Sequence, residues 1–234
     1  MEDSFFGTDG IRGLTSIEAV SEADAVAALD GERTLTPAFM RLVGEALSYT
    51  QPALPGEGSV VVVGWDRRPH NASLVAALTL GLRLTGSTVV HIGACATPTL
   101  HHAVLAFGAR QGCMITASHN PVEDSGLKVF DASGRKSTPE FEVRLTRTML
   151  DLAQEDHDLL HLVGDRVDGH HGEDRFEDAH ADWLHARMED LSGMFPDTAG
   201  ALIHDSTMPL LLDLSRGSAI RWFPAWLEAR GLRV

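Results

Sequence analysis

The 234 residues carry 19 basic and 33 acidic side chains, a formal charge of −14, so a nucleic-acid backbone or an anionic membrane surface would be repelled. An anionic small molecule could bind only at a local positive pocket. The 44% hydrophobic content excludes disorder as the default, and the length suits one large α/β domain, or a complete domain and a smaller one.

The N-terminal "MEDSFFGTDG" has neither the basic nor the apolar region of a signal peptide, and no apolar run approaches the roughly 18 residues of a membrane span. A cytoplasmic location is the expectation. Cys95 and Cys113 are isolated, each beside a strand-like apolar segment, which favours two reduced core thiols over a disulfide or a metal pair.

In chain order, "TLTPAFMRLVGEALSYT" has helical apolar spacing, with Thr36 as N-cap and Pro37 at the first helical position. "QPALPGEG" is a loop, and "SVVVVG" is a β-branched run of the kind buried on both faces of a parallel sheet. A helix over about 71–85, the strand "STVVHIG", a helix opening at Thr97-Pro98 and the strand "GCMITAS" repeat the theme. This alternation predicts βαβ units around a parallel sheet. "GLKVF" reads as a further strand, "DASG" as a turn, and "TPEFEVRLTRTMLDLAQ" as a helix that again opens on Thr-Pro. Residues 156–180 are rich in His, Asp and Gly and read as a linker into a second unit, with a helix at about 174–192. The closing "PLLLDLSRGSAIRWFPAWLEARGLRV" reads as strand, turn, helix and the start of another strand, which leads to the expectation of a truncated second domain. The fold class is thus α/β: a three-layer α/β/α mixed-sheet domain over 1–155, followed over 156–234 by part of a similar one.

Three stretches could carry chemistry. In "FFGTDGIRG", Gly7, Gly10 and Gly13 surround Asp9 and Arg12, a pattern that lets backbone pass close to a ligand and offers a guanidinium to phosphate; a tight turn with a surface arginine explains it equally well. It is not the dinucleotide-binding glycine fingerprint. In "VVVGWDRRPHN", Asp66 and Arg68 lie just past a buried strand, where open α/β sheets place ligands, although an ion pair ordering the loop is the favoured reading. In "MITASHNPVEDSGLK", Pro121 biases Asn120 toward extended backbone, so Ser118 should project from a tight turn at a strand end. A serine hydroxyl needs a base, a metal or a phosphate to become reactive. His119 is adjacent in sequence, and neighbours on an extended chain point opposite ways, so it is not automatically the base for Ser118; with no G-x-S-x-G elbow present, a Ser-His-Asp hydrolase is disfavoured. Lys128 would return beside Ser118 if the two segments pair as a hairpin.

Taken together and in this order, "FFGTDGIRG", "VVVGWDRRPHN" and "MITASHNPVEDSGLKVFDASGRK", with "GACATPTL" between them, resemble the α-D-phosphohexomutase superfamily of phosphoglucosamine, phosphomannose and phosphoglucose mutases. The resemblance implies that Ser118 is the phosphoserine that donates and accepts the phosphoryl group. His119, Asn120 and Lys128 match residues around it that contact phosphate or transfer protons, and Arg12 matches the arginine of the N-terminal loop reaching the same site. It further implies Mg²⁺, held on this chain only through the phosphate of Ser118, and a hexose phosphate substrate passing through a hexose bisphosphate. Phosphate would move reversibly between the 6- and 1-positions, an intramolecular phosphotransferase (isomerase) reaction. "FGTDGIRG" looks most like the phosphoglucosamine branch, with the phosphomannomutase/phosphoglucomutase branch as runner-up.

Four departures from the family pattern stand out: Trp65 before Asp66, Asn71 where a glycine is common, Ser125 for the usual Asn before Gly126, and a longer segment over 14–33, expected to be a surface elaboration. The family's Asp-x-Asp-x-Asp-Arg metal loop, its Glu-x-Ser-Gly-His loop and its phosphate-binding C-terminal domain are not among the 234 residues. The stretch alone is therefore expected to be inactive, and an inactive binding or regulatory module is the alternative. His170, His171, His180 and His185 match no metal-ligand spacing and read as surface residues. The sequence indicates no oligomeric state.

Overall fold

A computed structural model of the chain describes residues 4–50, 60–155, 183–184, 209–215, 217–229 and 231–234. Its first part runs β1 (Ile11–Thr15), α1 (Glu22–Glu32), β2 (Thr34–Leu35), α2 (Pro37–Thr50), β3 (Val60–Trp65), α3 (Asn71–Leu84), β4 (Thr88–Ala94), α4 (Thr97–Ala106), β5 (Gln111–Ile115), β6 (Asp124–Asp131) and α5 (Pro139–Glu155). The six strands form one sheet in the order β2-β1-β6-β5-β3-β4. β3 pairs in parallel with β4 and β5, as the βαβ alternation requires, and β1 pairs in parallel with β2. β6 runs antiparallel to both β5 and β1, so the sheet is mixed. The β5–β6 pairing is the hairpin that brings Lys128 back, opposite Met114.

Strand alternation sorts the side chains onto two faces. Ile11, Val61, Val63, Cys113, Ile115, Leu127 and Val129 pack with residues of α1, α2, α3 and α5 in the larger core. Val62, Ile92, Met114 and Phe130 pack with Leu100, Ala103 and Val104 of α4 in the smaller one. The result is three layers, with α4 lying on β3 and β5. α2 and α3 are pressed together through two glycines: a Cβ on Gly81 would lie 2.0 Å from the Arg41 carbonyl oxygen, and one on Gly44 2.4 Å from that of Leu78. No side chain fits at that crossing.

Helix starts follow the Thr-Pro signal in two of three places. Thr36 Oγ1 accepts the Phe39 N–H at 3.2 Å, and Thr138 Oγ1 accepts that of Phe141 at 3.3 Å. At α4 the N-cap is Ala96 and Thr97 is already helical, because the side chain that would cap is displaced one residue along. The 14–33 segment is more than a surface elaboration. α1 buries Ala25, Val26 and Leu29 in the larger core, and its Glu22 accepts from Arg41 Nη2 of α2 at 2.6 Å, with both side chains buried. Cys95 and Cys113 are free and buried; burial pushes the Cys113 thiol up to about 12, so it stays protonated and inert.

In the later part, the described residues 209–214 carry no strand, and among the described residues the Leu210 N–H donates to the Arg233 carbonyl at 2.6 Å without the ladder that a strand requires. A 3₁₀ turn (Ser218–Arg221) leads into α6 (Phe223–Glu228). The helix expected over about 174–192 falls outside the described residues apart from the helical pair 183–184, and so do His170, His171, His180 and His185. Among the described residues no helix is long and apolar enough to cross a membrane.

Candidate active site

The turn joining β5 to β6 is two tight turns in series: the Asn120 N–H donates to the Ala117 carbonyl at 3.1 Å, and that of Asp124 to Pro121 at 3.2 Å. Ser118 sits at φ 57°, in the left-handed region that a residue with a Cβ rarely adopts. Ser118 and His119 are both exposed. Among the described residues neither the Ser118 hydroxyl nor the imidazole of His119 makes a hydrogen bond, so no base-activated serine is formed. The hydroxyl is presented to solvent by a fixed backbone.

That backbone is fixed by Arg68. Its Nη2 donates to the carbonyls of Ser118 (2.9 Å) and Asn120 (3.0 Å), and its Nη1 to those of Asp124 (2.8 Å) and Pro121. Asp66 aims the guanidinium, with Nε 3.1 Å from Oδ2. The same Oδ2 accepts the Thr116 hydroxyl at 2.6 Å, and Thr116 Oγ1 in turn accepts the Ser118 N–H at 2.9 Å. Asp66 and Arg68 therefore form the ordering ion pair favoured from sequence, and what they order is the Ser118 turn. Two of the departures from the family pattern complete the support. Asn71 Nδ2 donates to Asp66 Oδ1 at 2.7 Å, and the Ser125 hydroxyl donates to Asn71 Oδ1 at 2.6 Å, with Asn71 and Ser125 both buried.

A cationic cluster stands beside the turn. Arg12 Nη1 donates to Asn120 Oδ1 at 2.8 Å, and Asn120 Nδ2 donates to Asp124 Oδ2 at 2.9 Å. Asp9 collects three cations: its Oδ2 lies 2.9 Å from Arg12 Nη2 and 2.7 Å from Lys128 Nζ, and its Oδ1 3.3 Å from Lys136 Nζ. The hydrogen bond from Lys128, opposed by partial desolvation and helped by Lys136, holds the Asp9 carboxyl down at about 2. The glycines of the N-terminal loop permit close approach to protein backbone: Gly10, at φ 87°, would place a Cβ 2.3 Å from the Leu127 carbonyl oxygen. That contact seats Asp9 against β6, beside Lys128.

Of the five residues singled out from sequence, the structure links Arg12, Asn120 and Lys128 through hydrogen bonds and Asp9, and places Ser118 and His119 on the turn that Asn120 closes. Sequence reasoning missed Lys136 and Thr116, and saw Asp9 only as a charged neighbour of Arg12. Lys136 was findable. Asp131 accepts the N–H groups of Ser133 and Arg135, a turn that brings Lys136 opposite Phe130, two residues along β6 from Lys128.

These residues do not form a Mg²⁺ site by themselves. Among the described residues no group of three His, Cys, Asp or Glu side chains could hold a metal, and the groups around the turn are mainly cationic. A phosphate on Ser118 would add hard oxygen donors, but only one ligand of the several Mg²⁺ needs.

Residues 3–156 match the family model for phosphoglucomutase/phosphomannomutase, alpha/beta/alpha domain I. The chain is 40% identical over 144 residues to a phosphoglucosamine mutase of Frankia casuarinae, an alignment covering 62% of this chain and 30% of the relative. It is 32% identical over 235 residues to a phosphoglucosamine mutase of Thermus thermophilus, covering 98% of this chain and 44% of the relative. Among solved structures, a phosphoglucomutase/phosphomannomutase family protein from Burkholderia thailandensis superposes with a TM-score of 0.60 at 22% identity, over 98% of this chain and 42% of the other. The chain thus spans less than half the length of these relatives.

Proposed function

The chain belongs to the phosphoglucomutase/phosphomannomutase family through an α/β/α domain I at residues 3–156, and from that membership we propose that Ser118 carries the transferred phosphoryl group of a phosphohexomutase. The observation that carries this reading is the turn itself. Arg68 fastens four of its carbonyls and leaves the Ser118 hydroxyl exposed, and the cluster of Arg12, Lys128 and Lys136 is tied to the same turn by the bond from Arg12 to Asn120.

In the proposed reaction the free hydroxyl of a hexose monophosphate attacks phosphorus on phospho-Ser118. The new O–P bond forms as the bond to Ser118 Oγ breaks; the attacking hydroxyl loses its proton and Ser118 Oγ regains one. The hexose bisphosphate then returns its other phosphate to Ser118 by the reverse exchange. A phosphoryl group in transfer spreads charge over its oxygens, so positioning and cationic donors supply most of the catalysis. Arg12 and Lys128 supply those donors, and exposed His119 moves the proton. Asn120 stands with them as a phosphate-binding residue, and its amide, engaged by Arg12 and Asp124, supports a role in holding Arg12 in place. Mg²⁺, when bound through the phosphate, would supply charge neutralisation.

The relatives' names favour glucosamine phosphate as the hexose, with mannose and glucose phosphates as alternatives. The 234 residues contain no Asp-x-Asp-x-Asp-Arg run, so we assign them the phosphoserine part of the reaction and expect no complete turnover from this stretch by itself. The same reading places the protein in the cytoplasm, where hexose phosphates are made, and treats residues 156–234 as part of a second, similar domain. The test is an exchange assay in which a hexose 1,6-bisphosphate labelled in its phosphates is incubated with the protein and Mg²⁺. Label is expected on Ser118 alone and is expected to be absent in Ser118→Ala. Label retained in that variant would refute the assignment.

A further inference from the structure

The family resemblance points to Arg12 and Lys128, but the geometry adds two members to the cationic cluster. We propose that Lys136 is a third cation of the phosphate site and that Asp9 is the positioning residue that gathers all three, so that the cluster's net charge matches that of one phosphoserine dianion. This rests on the reading of Ser118 as the phosphate carrier.

The reason is charge and donor capacity. Arg12, Lys128 and Lys136 bring three positive charges to one carboxylate, leaving a net charge of two. A phosphoserine carries roughly −1.5 to −2 at neutral pH. Asp9 alone cannot use the cluster's hydrogen-bonding capacity. Lys128 has three N–H donors and spends one on Asp9, while Lys136 spends one on Asp9 and one on the Thr8 carbonyl at 2.5 Å. Arg12 spends two of five, on Asp9 and Asn120. Arg68, by contrast, is committed to the backbone of the turn and to Asp66.

Position supports the same conclusion. Arg12 pairs with Gly126 across β1 and β6, Lys128 with Met114 across β6 and β5, and Lys136 is brought opposite Phe130 by the turn that follows β6. The cluster is tied to the Ser118 turn by the bond from Arg12 to Asn120. Without Asp9, three cations would repel one another at this edge. Lys136, half-exposed, would be the first to leave for solvent.

The test is a ³¹P NMR titration of this chain carrying phosphoserine at 118, installed by codon-directed incorporation so that the phosphate does not depend on enzymatic transfer. The second phosphate pKa of free phosphoserine lies near about 6. Lys136→Met should raise it by at least about 0.3 relative to the unsubstituted chain, and Lys136→Arg should leave it unchanged. Asp9→Asn, which releases the cations that Asp9 gathers, should raise it too, and adding Lys136→Met to Asp9→Asn should raise it little further, because Lys136 has already left. General loosening of the fold would neither spare Lys136→Arg nor make the two changes non-additive. No change in Lys136→Met, a fall in Asp9→Asn, or fully additive rises overturns the proposal. Failure of the underlying reading would show elsewhere, as protein isolated from its own cells with no phosphate on Ser118.

Discussion

Ser118 holds a conformation that its side chain disfavours. A left-handed residue with a Cβ costs about 1 kcal/mol relative to glycine, and the turn keeps it because Thr116 takes the Ser118 N–H and Arg68 its carbonyl. Ser118→Gly should therefore raise stability, by about 0.5–1 kcal/mol in urea denaturation, while removing all capacity to carry phosphate. An unchanged or lower midpoint would show that the backbone is relaxed at φ 57°. Arg68 is the complementary case. A flat guanidinium can reach four carbonyls and a carboxylate at once, whereas a single ammonium cannot. Arg68→Lys is expected to cost at least about 2 kcal/mol and to speed amide exchange at Asn120 and Asp124 selectively, which hydrogen-exchange mass spectrometry on the 116–128 peptide would register.

The elements bring these residues together by a route that crosses the sheet. α3 starts beside the end of β3, so Asn71 can reach Asp66 on one side and Ser125 of β6 on the other. Ser125→Ala should leave the buried Asn71 oxygen without its donor, at a cost of about 1–2 kcal/mol. Asn71→Gly and Ser125→Asn each break the pair, but together restore the glycine and asparagine common in the family at these positions. The double variant is expected to be more stable than the sum of the single losses by about 1 kcal/mol or more in a thermal double-mutant cycle. Additive losses would mean the two departures are unrelated. Legibility in the sequence followed the same division between local and distant signals. The strands around "SVVVVG" and the helices opening on Thr36 and Thr138 were readable because β-branched runs and Thr-Pro caps act within a few residues. The turn holding Ser118 was readable for the same reason. α1 was not, since the worth of Glu22, Ala25 and Leu29 comes from Arg41 and the core across the fold. The position of Lys136 was open to a local reading through the Asp131 turn, but its role was not, because its partner Asp9 lies at the far end of the domain in sequence.

For the molecule as a whole, the acidic balance of −14 makes the positive cluster at Asp9 a local exception, which suits a small anion and not a polyanion. The cluster also couples stability to pH. Asp9 titrates near about 2 in the folded chain, below its ordinary value of 3.8, so its contribution is present above about pH 4 and is lost as pH falls through about 2. Asp9 is half-exposed, so the contribution is modest. Asp9→Asn should melt below the unsubstituted chain at pH 6, with the gap closing by about pH 2; a gap that persists in acid would mean the carboxylate's charge is not what matters. The central claim is that this domain presents Ser118 as a phosphate carrier. Peptide mass analysis of the protein isolated from the cells that make it tests this most directly. One phosphoryl group on the peptide containing Ser118, localised to that residue and removed by Ser118→Ala, is the expected result; unmodified Ser118, or phosphate on a different residue, would contradict it.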